Sequence, residues 1–208
     1  MLFERTFFKR STLELSKDLI GQLITVRQED GTLLKGIINE TEAYCSGDKA
    51  AHCYGKKTER NKAMFGEEGC CYVYRIYGRN VCFNATGKAP EIKAGATLIR
   101  SIIPLEGKDK MKARRPKAKK DRDISNGPSK LSQALGIGME DYGIDLCTLS
   151  SKIYLEQGPA FDLSLIQTTK RIGISKDADR LWRFYLPPAD YKKIEKRQKS
   201  VRKKKGKK

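Results

Sequence analysis

Histidine is nearly absent from this chain: one residue, His52, in 208. A single imidazole excludes paired-histidine metal centres, and the six cysteines include no Cys-x-x-Cys pair. A zinc site would have to recruit Cys45, His52, Cys53, Cys70 or Cys71 without the usual ligand spacing, so no metal is expected. No run of about 18 apolar residues occurs, which excludes a membrane-spanning helix. The first ten residues, MLFERTFFKR, lack an uninterrupted apolar core and a small-residue cleavage site, so no secretory signal is expected. The cysteines then read as reduced thiols. The expected location is the cytoplasm or nucleoid of a bacterium, or a eukaryotic nucleus.

Acids are also scarce, 25 Asp and Glu against 43 Lys and Arg, for a net charge of +18. That excess is concentrated. Lys108–Arg122 holds nine basic residues and two aspartates, and Lys192–Lys208 holds eleven basic residues and one glutamate. The remainder is close to neutral. Two basic segments on a near-neutral body point to a polyanion, by default DNA or RNA. Neither has an apolar face beside it, so a membrane surface is not expected as partner. The organisation expected is one domain over residues 1–188, with a mobile basic loop at 108–122, and a disordered basic tail over 189–208.

Ser11-Thr-Leu-Glu14 has capping-box spacing and opens a predicted helix over Thr12–Ile20, ended by Gly21. Leu23–Arg27 and Leu33–Tyr44 read as strands around a Glu29-Asp-Gly31 turn. Alternation in the second strand places Ile38, Glu40, Glu42 and Tyr44 on one face. The polar stretch from Cys45 to Phe65 reads as a loop with a short helix near Lys49–Cys53. Cys70–Ile76 and Val81–Ala85 form a predicted hairpin turned by Gly78. Ala96–Ile103 is a buried strand ended by Pro104, and Gly127-Pro-Ser129 opens a short helix through Leu135, closed by Gly136. Ile153–Glu156, Leu163–Ile166 and Trp182–Leu186 complete the strands.

The chemistry-bearing residues cluster between Gly36 and Asn84. Glu42, beside an aromatic on a strand, suits proton abstraction from water. Glu40 lies two positions away, roughly 6.5–7 Å along the strand, so the pair is placed to divide acid and base roles as in sugar-bond hydrolysis. Tyr72 suits a core. A tyrosine at a glycine-containing hairpin tip, Tyr77, suits a core poorly and a wedge in a base stack well. Tyr44, His52 and Tyr74 would line a pocket for an extruded base, and a cationic base would gain about 0.5–2 kcal/mol from the rings.

These segments resemble a known family. Glu40-Thr-Glu-Ala-Tyr44, Ala50-Ala-His52, Arg60-Asn-Lys-Ala-Met-Phe65, Tyr72-Val-Tyr74-x-x-Tyr77-Gly78, Asn84, Leu98-Ile-Arg100, Pro104-Leu-Glu-Gly107 and Gly127-Pro-Ser-Lys-Leu131 occur, in that order, as in alkyladenine (3-methyladenine) DNA glycosylases. The resemblance implies a single α+β domain around a curved antiparallel sheet, without metal or organic cofactor. It implies a monofunctional hydrolase acting on double-stranded DNA that contains damaged purines: 3-methyladenine, 7-methylguanine, hypoxanthine and ethenoadenine. Nothing in the sequence points beyond a monomer. Glu42 would activate water, and Arg100 would support Glu42 or the flipped nucleotide's phosphate. Tyr44, Tyr74 and His52 would hold the base, Asn84 would screen against the guanine amine, and Tyr77 would intercalate. Arg60, Arg79 and Lys130 are candidates for contact with the DNA backbone. The reading from another class is a non-catalytic RNA- or ribosome-binding protein with a tyrosine stacking surface. It leaves Glu40 and Glu42 without a purpose beside the rings.

Overall fold

Ser11 opens the first helix as its spacing predicts. Its hydroxyl accepts the Glu14 amide at 3.2 Å, and the Glu14 carboxylate accepts the Ser11 amide at 3.2 Å. Two donors that the helix start would orphan are thereby satisfied. In the computed structural model, which describes residues 1–76, 78 and 80–187, this helix is α1, Thr12–Asp18, with Leu19 as its cap. Leu15, Leu19 and Ile20 are fully buried, each worth roughly 1.5–3 kcal/mol of apolar burial.

Eight strands among the described residues form one sheet, antiparallel throughout, curled into a half-barrel. They are β1 (Leu23–Arg27), β2 (Leu33–Cys45), β3 (Cys71–Ile76), β4 (Asn80–Thr86), β5 (Gly95–Glu106), β6 (Ile153–Glu156), β7 (Gln167–Thr169) and β8 (Arg183–Tyr185). The main path runs β3-β4-β5-β2-β1-β6, and β8 pairs with β2 and β7. β2 is the spine. Leu33–Ile37 pair with β1 and Glu40–Glu42 with β8, while β5 runs along the other side from Lys35 to Cys45. Glu42 is therefore flanked by Leu98 of β5 and Arg183 of β8. A register shift around Ile38–Thr41 interrupts strict alternation, and Ile37 and Ile38 are both buried in the main core.

α1 packs on β2 and β5, and α4 (Pro128–Leu135) packs on β4 and β5. Gly136 ends α4 at φ +70°, and Gly78 turns the β3–β4 hairpin at φ +75°, conformations that a Cβ disfavours.

Four expectations change. No helix forms at Lys49–Cys53. There the Asp48 carboxylate accepts the Ala50 amide at 3.1 Å and holds a turn, and the nearby helix α2 lies at Lys62–Phe65. β5 runs through Pro104 to Glu106, because β4 covers only Ala96–Leu98 of that edge and a proline there removes no ladder bond. Leu163–Leu165 is a single 3-10 turn, its entry capped by Asp162 accepting the Ser164 amide at 2.9 Å. The basic stretch expected as a loop begins with a helix, α3 (Lys108–Ala113). Met111 anchors it in the core, and Arg114 donates to Gln28 at 2.6 Å and to the Ala134 carbonyl at 3.3 Å. A charge run conceals one buried methionine. The tail expected over 189–208 lies outside the described residues.

Candidate active site

Glu42 has no exposed surface, yet its carboxylate receives three hydrogen bonds. Oε2 accepts Arg100 Nη1 at 3.0 Å and the Tyr44 hydroxyl at 2.8 Å, and Oε1 accepts the Ile172 amide at 2.8 Å. A carboxylate offers about four acceptor positions. The one left over lies on Oε1, beside Ile172.

Arg100 faces Glu42 because it lies two residues along β5 from Leu98, the partner of Glu42. Its Nε donates to Glu40 at 2.8 Å, and Glu40 also accepts Arg183 Nε at 2.7 Å. Burial alone would lower the Arg100 pKa, but attraction to Glu42 and Glu40 outweighs it and raises it. Glu40 and Glu42 do share a face, as alternation predicts. Glu40 is held between two guanidiniums, and Arg100 stands between the two carboxylates.

In front of this network lies a cavity of about 390 Å³, within the range of small-ligand sites. Its walls include Tyr44, His52, Tyr74, Asn84 and Arg100, the residues proposed from sequence, together with Met64, Cys82, Pro128, Ile172 and Ile174. Glu42 sits one layer behind, reached through Tyr44, Arg100 and Ile172. The His52 and Tyr74 rings meet edge to face at 4.5 Å and 83°. Tyr72 forms the floor, as a core tyrosine, and its hydroxyl shares a 2.7 Å hydrogen bond with His52 Nδ1.

His52 is exposed as a residue, but its inner ring edge is covered. Desolvation first, and the Arg60 charge second, push its pKa down to about 4. The imidazole is therefore neutral near pH 7. The Arg60-Asn61 motif has a local reason: buried Asn61 donates to the His52 carbonyl at 2.7 Å and to that of Lys56 at 3.1 Å, fixing the histidine loop. Burial, reinforced by Glu42, raises the Tyr44 pKa well above the ordinary tyrosine range, and burial does the same for Tyr74. All three rings are uncharged. Asn84 is buried, with its amide nitrogen 2.9 Å from the Tyr72 carbonyl.

Around the mouth, Arg60 is exposed with its guanidinium 5.6 Å from the Tyr74 ring centroid. Lys130, exposed on α4 two residues beyond Pro128, donates to Asn126 at 2.9 Å. Tyr77 and Arg79 lie outside the described residues. Among the described residues, no three His, Cys, Asp or Glu side chains converge as a metal site would require, and no helix is long and apolar enough to cross a membrane. The six cysteines are free thiols.

Sequence reasoning missed the strand-free segment of Arg171, Ile172 and Ile174, and also Asp48 and Arg183. Ile172 acts through its backbone amide, which any residue but proline would supply. No side-chain pattern could have revealed it.

The match to known proteins covers the same ground. The family model for methylpurine-DNA glycosylase matches residues 6–189. A protein of Prosthecochloris aestuarii, provisionally named 3-methyladenine DNA glycosylase, is 42% identical over 188 residues, 90% of this chain and 88% of its own length. A protein of Encephalitozoon cuniculi, named as a probable DNA-3-methyladenine glycosylase, is 43% identical over 179 residues, 83% of this chain and 84% of its own length. One from Methanocella arvoryzae, named as that of P. aestuarii, is 41% identical over 185 residues, 87% and 90% of the two chains. An enzyme family spanning almost the whole described chain decides against the non-catalytic reading. The chain belongs to the methylpurine-DNA glycosylase family, whose members are N-glycosyl hydrolases that act on damaged DNA.

Proposed function

We propose that this enzyme draws a damaged purine out of duplex DNA into the cavity between Tyr44, His52 and Tyr74, and hydrolyses its bond to deoxyribose with Glu42 as general base. The observation that carries this reading is the buried Glu42 carboxylate, held by three donors directly behind a ring-lined cavity. A water at the remaining acceptor position of Oε1 gives its proton to Glu42 as its oxygen bonds to C1′. The electron pair of the breaking C–N bond leaves with the base. Arg100 keeps the carboxylate oriented, and the negative charge of Glu42 stabilises the oxocarbenium character at C1′.

Neutral rings suit a cationic base such as 3-methyladenine or 7-methylguanine, because a protonated His52 would repel it and a neutral one contributes a π surface. Such bases are good leaving groups and need no acid. Hypoxanthine and ethenoadenine are neutral, and for them departure is slower unless a proton is supplied. Asn84, anchored through its amide nitrogen, restricts the space open to a guanine amine. Tyr77 fills the gap left in the stack, and Arg60, Arg79, Lys130 and the basic tail hold the backbone. Among the described residues that line the cavity none is a lysine, which supports a monofunctional enzyme that forms no Schiff base with the sugar.

The test incubates the protein, with chelator, on duplexes carrying 3-methyladenine, 7-methylguanine, hypoxanthine or ethenoadenine and measures free base. Glu42→Gln should abolish release while retaining lesion binding. Undiminished release by that variant would remove Glu42 from the mechanism.

A further inference from the structure

We infer that the buried Arg171–Asp48 pair is a positioning device for the catalytic carboxylate, holding the Ile172 amide against Glu42. The inference rests on the reading of Glu42 as the base. Ile172 lies between β7, which ends at Thr169, and β8, which begins at Arg183, so no strand ladder fixes its amide. Ile172 is 50% exposed. Of residues 170–176, Arg171 alone is buried.

Arg171 is gripped from several directions. It forms a two-pronged ion pair with Asp48, through Nη1 to Oδ2 and through Nη2 to Oδ1 at 2.9 Å, with both side chains fully buried. Nη1 also donates to the Ala43 carbonyl at 2.9 Å, and Nη2 to that of Asp177 at 3.3 Å. The guanidinium carbon lies 4.6 Å from the Tyr44 ring centroid and 5.1 Å from that of Trp182. Ala43 is the β2 residue between Glu42 and Tyr44. One side chain thus registers the Ile172 amide against the strand that carries the carboxylate.

Asp48 extends the grip. Its Oδ1 accepts the Ala50 amide at 3.1 Å, and Ala50 lines the cavity beside His52. Arg171–Asp48 therefore joins the histidine loop, β2 and the Ile172 segment. A pair this buried is a poor source of stability, since apolar residues of similar volume often serve as well. Its placement one residue from a donor to Glu42 accounts for it.

The test separates positioning from stability. Arg171→Met leaves Asp48 charged and buried, and should fold poorly. The double change Asp48→Leu with Arg171→Met removes both charges and should recover most of the melting temperature. Its single-turnover release of ethenoadenine from a duplex should nonetheless remain about 100-fold below native, the scale of a misplacement near 1 Å, with the Kd for the lesion duplex within about threefold. Arg171→Lys keeps the charge but loses the fork, and should fold while losing roughly tenfold in rate. Native rates in the double variant, or in a folded Arg171→Lys protein, would overturn the inference. Glu42→Gln is run in parallel: if it is fully active, the base assignment has failed; if it is inactive while the Arg171 variants are native, only the positioning role has failed.

Discussion

Replacing Glu42 by glutamine changes one atom, and the structure says what that change costs the fold. The carboxylate receives three donors: the Ile172 amide, Arg100 Nη1 and the Tyr44 hydroxyl. A glutamine amide has one acceptor oxygen and one NH2 group. Directing its oxygen to Arg100 and Tyr44 turns the NH2 against the Ile172 N–H, donor against donor, where a 2.8 Å bond stood. The opposite orientation keeps the Ile172 bond but sets the NH2 against the charged Arg100 N–H and is worse. Arg100 keeps Glu40 at 2.8 Å in either case, so its charge is not stranded. One lost charge-assisted bond and one unsatisfied buried donor come to about 1–3 kcal/mol. For a chain of this length each kcal/mol shifts Tm by roughly 2–4 °C, so Glu42→Gln should melt about 2–12 °C lower. Urea denaturation should give the same ranking with an unchanged slope. Catalytic residues often burden the fold, and their removal then stabilises it. A Glu42→Gln protein as stable as the native one, or more so, would refute the view that this carboxylate is satisfied where it stands.

The lone histidine permits a one-signal NMR titration, whose midpoint should lie far below 6.5, toward the value of about 4 set by desolvation and Arg60. The unfolded chain binds that proton more readily than the folded one, so the contribution to stability is intact above pH 6.5 and is lost as pH falls from there through 4; a midpoint at or above 6.5 would contradict a ring edge covered by Tyr72. Met111→Ala should cost about 2–5 kcal/mol in urea denaturation, since Met111 is fully buried, whereas a change near zero would mean that the basic α3 segment does not pack. Deleting Val201–Lys208 removes six basic residues. It should weaken binding to all duplexes alike and reduce the slope of log K against log salt by up to about 5; a change in lesion preference would assign the tail a different role.

The sequence was most readable where structure is local. The capping box at Ser11 and Glu14, the strand at Leu23–Arg27, the hairpin over Gly78 and the helix closed by Gly136 each depend on residues a few positions apart. Glu42 and Tyr44 share a face for the same reason. It was least readable where a few apolar or polar contacts override composition. Met111 makes a helix of a charge run, and Asp48 and Asp162 hold turns where a helix and a strand were expected.

By itself the sequence determined the family motifs, the ring-lined pocket residues and the strand that carries Glu42. Only the tertiary structure decided what those residues do to one another. Arg100 arrives from 58 positions away, and the Ile172 amide from 130. It also placed Arg100 between Glu40 and Glu42. A hydrogen bond from a backbone amide carries no signature in residue type, and an ion pair across 123 positions has none in spacing. Such contacts exist only once the sheet has curled and its edges have brought distant loops together.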